Sequence, residues 1–242
     1  MQFYFIRHAQ STNNHLWDQT QSWAGRAEDP ELTEMGWQQA RALAAFIGGD
    51  QKRAVSFAQA SQNVDGFHLT HIYASLMIRA ITTGSLVARA CNLRLVALEE
   101  LHESGGIYAE DELTGERLAR PGQNRPYYLE NFPDCDLPEC VTDEGWWNRP
   151  WESPEQRAPR ARRVWQDLLA RHGGREDRVA VVSHGAFYNH LLAAILELPE
   201  PEGTNRWFDM NNCGITRIDA AADHLSVRYM NRLDYLPPDL IS

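Results

Sequence analysis

Short runs of β-branched and aromatic residues alternate along this chain with runs at helical spacing, and that alternation constrains the fold most tightly. Residues 2–6 (QFYFI), 70–75 (THIYAS), 93–98 (LRLVAL) and 177–184 (DRVAVVSH) read as strands, the last carrying Val179, Val181 and Val182. Residues 31–49 place Leu32, Met35, Ala40, Leu43, Ala44 and Ile47 at helical intervals before Gly48-Gly49 closes the run. Residues 76–92 and 185–198 read as helices directly after strands. So does the segment 154–174, with Pro159 marking its start. Residues 214–220 and 225–230 read as two late strands, joined as a hairpin through 221–224, and residues 50–67 read as a loop. Strands alternating with helices predict an α/β fold: a three-layer α/β/α sandwich around a mostly parallel sheet.

The length of 242 residues, 43% of them hydrophobic, suits one domain spanning 1–242. Residues 107–154 break the rhythm with six prolines and with Trp146, Trp147 and Trp151, and read as an inserted lid. The two adjacent tryptophans are expected to pack the insertion onto the core. The net charge of −10 argues against a nucleic-acid partner. Twenty-two of the 23 basic residues are Arg, the exception being Lys52, so a local anion pocket stays open. No apolar run approaches the ~20 residues of a membrane span, and Arg7 interrupts the early one. Cys91, Cys135, Cys140 and Cys213 lack paired metal spacing and read as free thiols of a reducing compartment, which implies a cytoplasmic protein. No metal and no cofactor is expected.

Three strand ends share one chemistry. The first stops at Arg7-His8, the second leads through Tyr73 and Ser75 to Arg79, and the late valine-rich strand ends at Ser183-His184-Gly185. In a parallel sheet ligands bind beyond the carboxyl ends of the strands, where helix N-termini attract anions. Two His and two Arg converging there suit a phosphoryl group: one His attacks phosphorus while the Arg pair and the other His neutralise its oxygens.

Together these motifs resemble the histidine phosphatase (phosphoglycerate mutase-like) superfamily. Its Arg-His-Gly-Glu signature, with a following Thr or Ser and then Asn, is matched by Arg7-His8-Ala9-Gln10-Ser11-Thr12-Asn13-Asn14. Leu32-Thr33, Gly36 and Gln39-Ala40 match a second pattern, and Tyr73, Ser75, Arg79, Ala80 and Thr82 or Thr83 a third. VVSHGAF and NNCGITRID match the late motifs. The resemblance implies His8 as the nucleophile that forms phosphohistidine. It implies Arg7, Arg79, His184 and Gly185 as phosphoryl-binding groups, and Asn14 as a further donor. Two positions depart from the pattern. Ala9 replaces Gly, which crowds the loop if that position needs φ > 0, and Gln10 replaces Glu.

A leaving alkoxide also needs a proton. LEELHESGG offers Glu99, Glu100 and Glu103, and the Leu-x-Glu spacing fits both Glu100 and Glu103; Glu103, before Gly105-Gly106, is the favoured acid. His102 beside it is a candidate pocket residue, and Arg117, Arg120 and Arg125 are candidates for a second anionic group of the substrate. The leading reading is a metal-independent phosphomonoesterase acting on a small phosphorylated molecule. The alternatives are a phosphomutase with the same site chemistry, and a weakly catalytic binding module that keeps the fold.

Overall fold

The computed structural model describes residues 1–49, 54–111, 113–201, 204 and 206–242. Along the chain run β1 (Gln2–Arg7), α1 (Thr12–Thr20), α2 (Glu34–Gly48), α3 (Phe57–Ser61), β2 (His71–Ser75), α4 (Ile78–Ala90) and β3 (Leu95–Leu98). There follow β4 (Tyr108–Glu110), β5 (Arg117–Ala119), α5 (Arg125–Asn131), β6 (Cys135–Asp136), α6 (Pro154–His172), β7 (Arg178–Ser183), α7 (Gly185–Ile195), β8 (Ile215–Ala220) and β9 (Leu225–Arg232).

Seven strands form one sheet in the order β6-β3-β2-β7-β1-β8-β9. The neighbours from β6 to β1 pair in parallel, and β8 runs antiparallel to β1 and β9. Side-chain alternation splits the core into two layers. Tyr4, Ile6, Ala74, Ala180 and Val182 pack with Leu43 and Ile47 of α2 and Ile81 and Val87 of α4. Phe3, Phe5, Val179 and Val181 pack with Val164 and Leu168 of α6 and Leu191 and Leu192 of α7. The fold is the expected three-layer α/β/α sandwich.

Several local details differ from the sequence reading. Helix α1 arises in a polar stretch without an apolar stripe; its signal is a capping box, with the Ser11 hydroxyl accepting from the Asn14 amide and the Asn14 side chain accepting from the Ser11 amide. Helix α3 occupies part of the segment read as a loop, whose residues 50–53 lie outside the described ones. Pro159 lies inside α6 and does not start it. Ser153, Pro154 and Gln156 already supply the cap, and Pro159 removes only the N–H that would bond the Glu155 carbonyl.

The segment 107–154 is more ordered than an irregular lid. β4 and β5 pair as a separate hairpin, while β6 extends the main sheet beside β3. The Tyr128 hydroxyl donates 2.6 Å to the Leu76 carbonyl, and Trp146 and Trp147 are buried in the core layer that holds α2 and α4. Those two indoles pack as expected. No helix of the described residues is long and apolar enough to cross a membrane.

Candidate active site

Parallel pairing of β1 with β7, and of β7 with β2, brings Arg7-His8, Ser183-His184 and Ser75 to one sheet edge. The His8 amide donates to the Ser183 carbonyl at 2.9 Å, fixing the strand end. The His8 ring nitrogen Nδ1 lies 2.7 Å from the Ala9 carbonyl, which can only accept, so Nδ1 carries the proton. Nε2 then holds the lone pair, and the Arg79 Nε–H donates to it at 3.2 Å. Burial holds the His8 pKa well below its ordinary value, with the positive charges of Arg79 and Arg7 adding to the effect. The imidazole is therefore held toward its neutral form, with a lone pair on Nε2.

Arg79 stands in the first turn of α4 and is itself oriented by Asp29, whose Oδ1 lies 3.5 Å from Nη1 and also accepts from the Ile78 amide at 3.1 Å. Burial lifts the Asp29 carboxyl to about 6, despite the attraction of Arg79. Arg7 donates Nη1 to the Met210 carbonyl, and its buried Nε has no protein partner among the described residues. His184 is fully buried, packed 5.1 Å from the His8 ring between centroids. Its Nε2 meets the Ser75 hydroxyl at 2.9 Å, and that hydroxyl accepts from the Met77 amide. The other ring nitrogen of His184, Nδ1, is a buried atom without a partner among the described residues. Asn14 and Gly185 both border the cleft. Asn14 uses its amide oxygen to accept from Ser11 and from Asn212, which keeps the nitrogen end as its donor.

The two candidate acids separate. Glu100 is tied to Arg149 at 2.7 Å and Arg163 at 3.2 Å, away from the cleft. Glu103 lines the cleft, near enough to Arg7 and Arg79 to act on both charges. Its carboxylate accepts from the Ala186 and Phe187 amides at 3.1 and 2.9 Å, at the positive end of α7. The loop that carries it turns at Gly105 and Gly106, with φ of +93° and +78°, and a Cβ on Gly106 would fall 2.1 Å from the Trp147 ring. Beneath the loop, buried Arg160 donates to Glu152 at 2.6 and 2.9 Å and to the Glu100 and His102 carbonyls. His102 does not reach the cleft; its ring is buried edge-on to Trp147 and bonded to the Glu103 carbonyl.

The cleft encloses about 680 Å³ and is bordered further out by Arg26, Arg117, Tyr108, Trp23 and Trp207. Of the three arginines suggested for a second anion, only Arg117 lines it. Arg120 pairs with Glu28 at 2.9 Å and Arg125 donates to the Val141 carbonyl. Arg26 is the cation that sequence reading missed: it stacks 4.2 Å over Tyr108 and leaves a buried Nη1 without a partner among the described residues.

The departures at positions 9 and 10 are accommodated. Ala9 is absent from the positive-φ residues and its amide donates to Thr83 at 3.1 Å, so no strain arises there. Gln10 accepts from the Thr33 hydroxyl at 2.7 Å, and its amide donates to Gln39 Oε1 at 2.7 Å. A Cβ at Gly36 would lie 2.1 Å from the Gln10 carbonyl. The Leu-Thr, Gly and Gln-Ala motif is therefore a brace for the loop that carries His8.

The family model for the histidine phosphatase superfamily (branch 1) matches residues 3–233. The chain belongs to that superfamily. Among curated relatives, a probable phosphoglycerate mutase GpmB of Erwinia tasmaniensis is 26% identical over 219 residues, covering 90% of this chain and 85% of the relative. A protein of the same name from Photorhabdus laumondii is 27% identical over 225 residues, with coverage of 90% and 85%. Two solved structures share the fold. Phosphoserine phosphatase of Entamoeba histolytica, in complex with 3-phosphoglyceric acid, superposes with TM-score 0.60 at 21% identity, covering 98% of this chain and 99% of that one. A mycobacterial glucosyl-3-phosphoglycerate phosphatase gives 0.59 at 20% identity, with coverage of 95% and 98%.

Proposed function

We propose that this protein hydrolyses phosphomonoesters through a phosphohistidine formed on Nε2 of His8. The observation that carries the reading is the His8 environment: Nδ1 is tied to the Ala9 carbonyl, and Nε2 is unprotonated beside Arg79 in a cleft that also holds Arg7 and Glu103. Nε2 attacks phosphorus in line as the P–O bond to the leaving group breaks. Arg7, Arg79 and His184 balance the charge on the transferring oxygens, with the Asn14 amide and the Gly185 backbone N–H as further donors. Two guanidinium groups give this chain its own charge neutralisation. Glu103 hands a proton to the leaving oxygen, then takes one from the water that attacks phosphohistidine. Asp29 is a positioning residue that acts through Arg79.

The curated relatives' name makes a mutase the second reading. A mutase must keep its intermediate from water. A cleft of about 680 Å³, rimmed by the half-exposed Trp23 and Trp207, favours hydrolysis. The β4–β5 hairpin acts as the lid, and Arg26 with Arg117 meets a second anionic group on a small substrate. Cys135, Cys140 and Cys213, thiols outside any disulfide, fit a cytoplasmic setting. Release of inorganic phosphate from a panel of phosphorylated metabolites tests the reading. Phosphate release abolished by His8→Ala supports it, whereas isomerised product without net phosphate release overturns it in favour of the mutase.

A further inference from the structure

At the opposite edge of the sheet His71, His172 and Asp177 come together, one potential donor atom from each lying within 4.8 Å of the others. His71 opens β2, about 100 residues before the other two; His172 ends α6 and Asp177 precedes β7 five residues later. Among the described residues this is the one such grouping of His, Cys, Asp and Glu. The protein's chemistry at the cleft does not use it. His71 opens β2 and Ser75 closes it, so at about 3.3 Å per residue the cluster lies roughly 13 Å from the Ser75–His184 contact.

The hydrogen bonds define each donor. The Thr70 hydroxyl meets the His71 Nδ1 at 2.9 Å, which leaves Nε2 as the ring nitrogen available to an ion. The His172 Nδ1 donates to the Asp177 carboxylate at 2.8 Å, and its Nε2 meets the Tyr73 hydroxyl at 2.9 Å. The two imidazole rings stand 4.5 Å apart between centroids.

We propose that His71, His172 and Asp177 bind one zinc ion, or a neighbouring first-row dication, with water as the fourth ligand. Tetrahedral ligands at about 2.0–2.1 Å from zinc are separated by about 3.3 Å, so the His172–Asp177 pair opens by only about 0.5 Å to admit it. The proton of the neutral His172 ring moves from Nδ1 to Nε2, and Nε2 then donates to Tyr73 where it had accepted. No proton is gained or lost by the ring, and Tyr73 becomes the outer support that a metal-bound imidazole needs. Arg171 and Arg175 act on the same groups and oppose a dication. Selectivity therefore rests on the imidazole nitrogens, which favour zinc and exclude magnesium and calcium. The ion cross-links the end of α6 and the start of β7 to the start of β2, and binding to the folded state alone raises stability.

The test is equilibrium dialysis of the metal-stripped full chain against zinc chloride, paired with thermal denaturation. One zinc per chain and a raised melting temperature are expected, with no change in magnesium chloride. His71→Ala and Asp177→Asn should each weaken binding at least tenfold, with circular dichroism confirming that both variants fold. Absence of zinc uptake by the wild type overturns the proposal. So does unchanged affinity in either variant, because the site needs all three donors.

Discussion

Replacing Glu103 by Gln separates proton delivery from every other contribution of the cleft. The structure sets the cost to stability. Oε1 accepts from the Ser104 amide at 2.8 Å and the Phe187 amide at 2.9 Å, while Oε2 accepts from the Ala186 amide at 3.1 Å. A glutamine keeps the first two bonds but turns its NH₂ toward the Ala186 N–H, donor against donor. One part-buried amide loses its partner, which costs about 1–3 kcal/mol. For a chain of this size that is about 2–4 °C of melting temperature for each kcal/mol. The chemical loss is separate and depends on the leaving group. An alkoxide needs the proton, so about 10²–10⁴-fold of kcat/KM is lost on an alkyl phosphate, whereas a nitrophenolate barely needs it. The assay is kcat/KM across phosphomonoesters of graded leaving-group pKa, which should give a steeper dependence in Glu103→Gln than in the wild type. Glu100→Gln is the control: it breaks the contacts with Arg149 and Arg163 and leaves the slope unchanged. An equal loss on every substrate would refute the acid role of Glu103, and a steepened slope in Glu100→Gln would move that role three residues back.

Asp29 titrates at about 6, so kcat/KM should fall as pH drops through that value and the Arg79 contact loses its charge. Asp29→Asn should flatten that limb, whereas an unaltered pH–rate profile would free Asp29 from the positioning role. Gly36→Ala drives a methyl group to within 2.1 Å of the Gln10 carbonyl, and should lower stability by about 1–3 kcal/mol and activity with it. A chemical-denaturation midpoint equal to the wild type would show that the brace gives way without consequence. Arg160→Ala leaves the buried Glu152 carboxylate unpaired and should cost about 3–5 kcal/mol, read by calorimetry. A loss below about 1 kcal/mol, the range of an exposed pair, would contradict the part given to that pair beneath the acid loop.

The layered core was legible because its signals are local. The alternation of Phe3, Tyr4, Phe5 and Ile6 assigns each residue to a face before any partner is known, and the valines of β7 do the same. Strand-end chemistry was legible for the same reason: parallel strands share an edge, so His8, Arg79 and His184 could be placed together. The choice between Glu100 and Glu103 was not fixed by sequence spacing; the Gly105-Gly106 turn under Trp147 and Trp151 aims one inward and releases the other to surface arginines. Asp29 and Arg26 lie in a polar loop whose placement depends on reciprocal bonds between the Asn13 side chain and the Ala27 backbone. The cluster of His71, His172 and Asp177 was invisible because His71 joins the local His172–Asp177 pair only after α6 has folded back across the sheet.

Covalent capture of the intermediate tests the central claim most directly. Rapid acid-free quenching during turnover of a substrate labelled in its phosphoryl group should leave label on the protein that is stable in base and lost in acid. Peptide mapping should place it on His8, and His8→Ala should show neither label nor turnover. Label that persists in His8→Ala, or that maps to His184, would contradict the account.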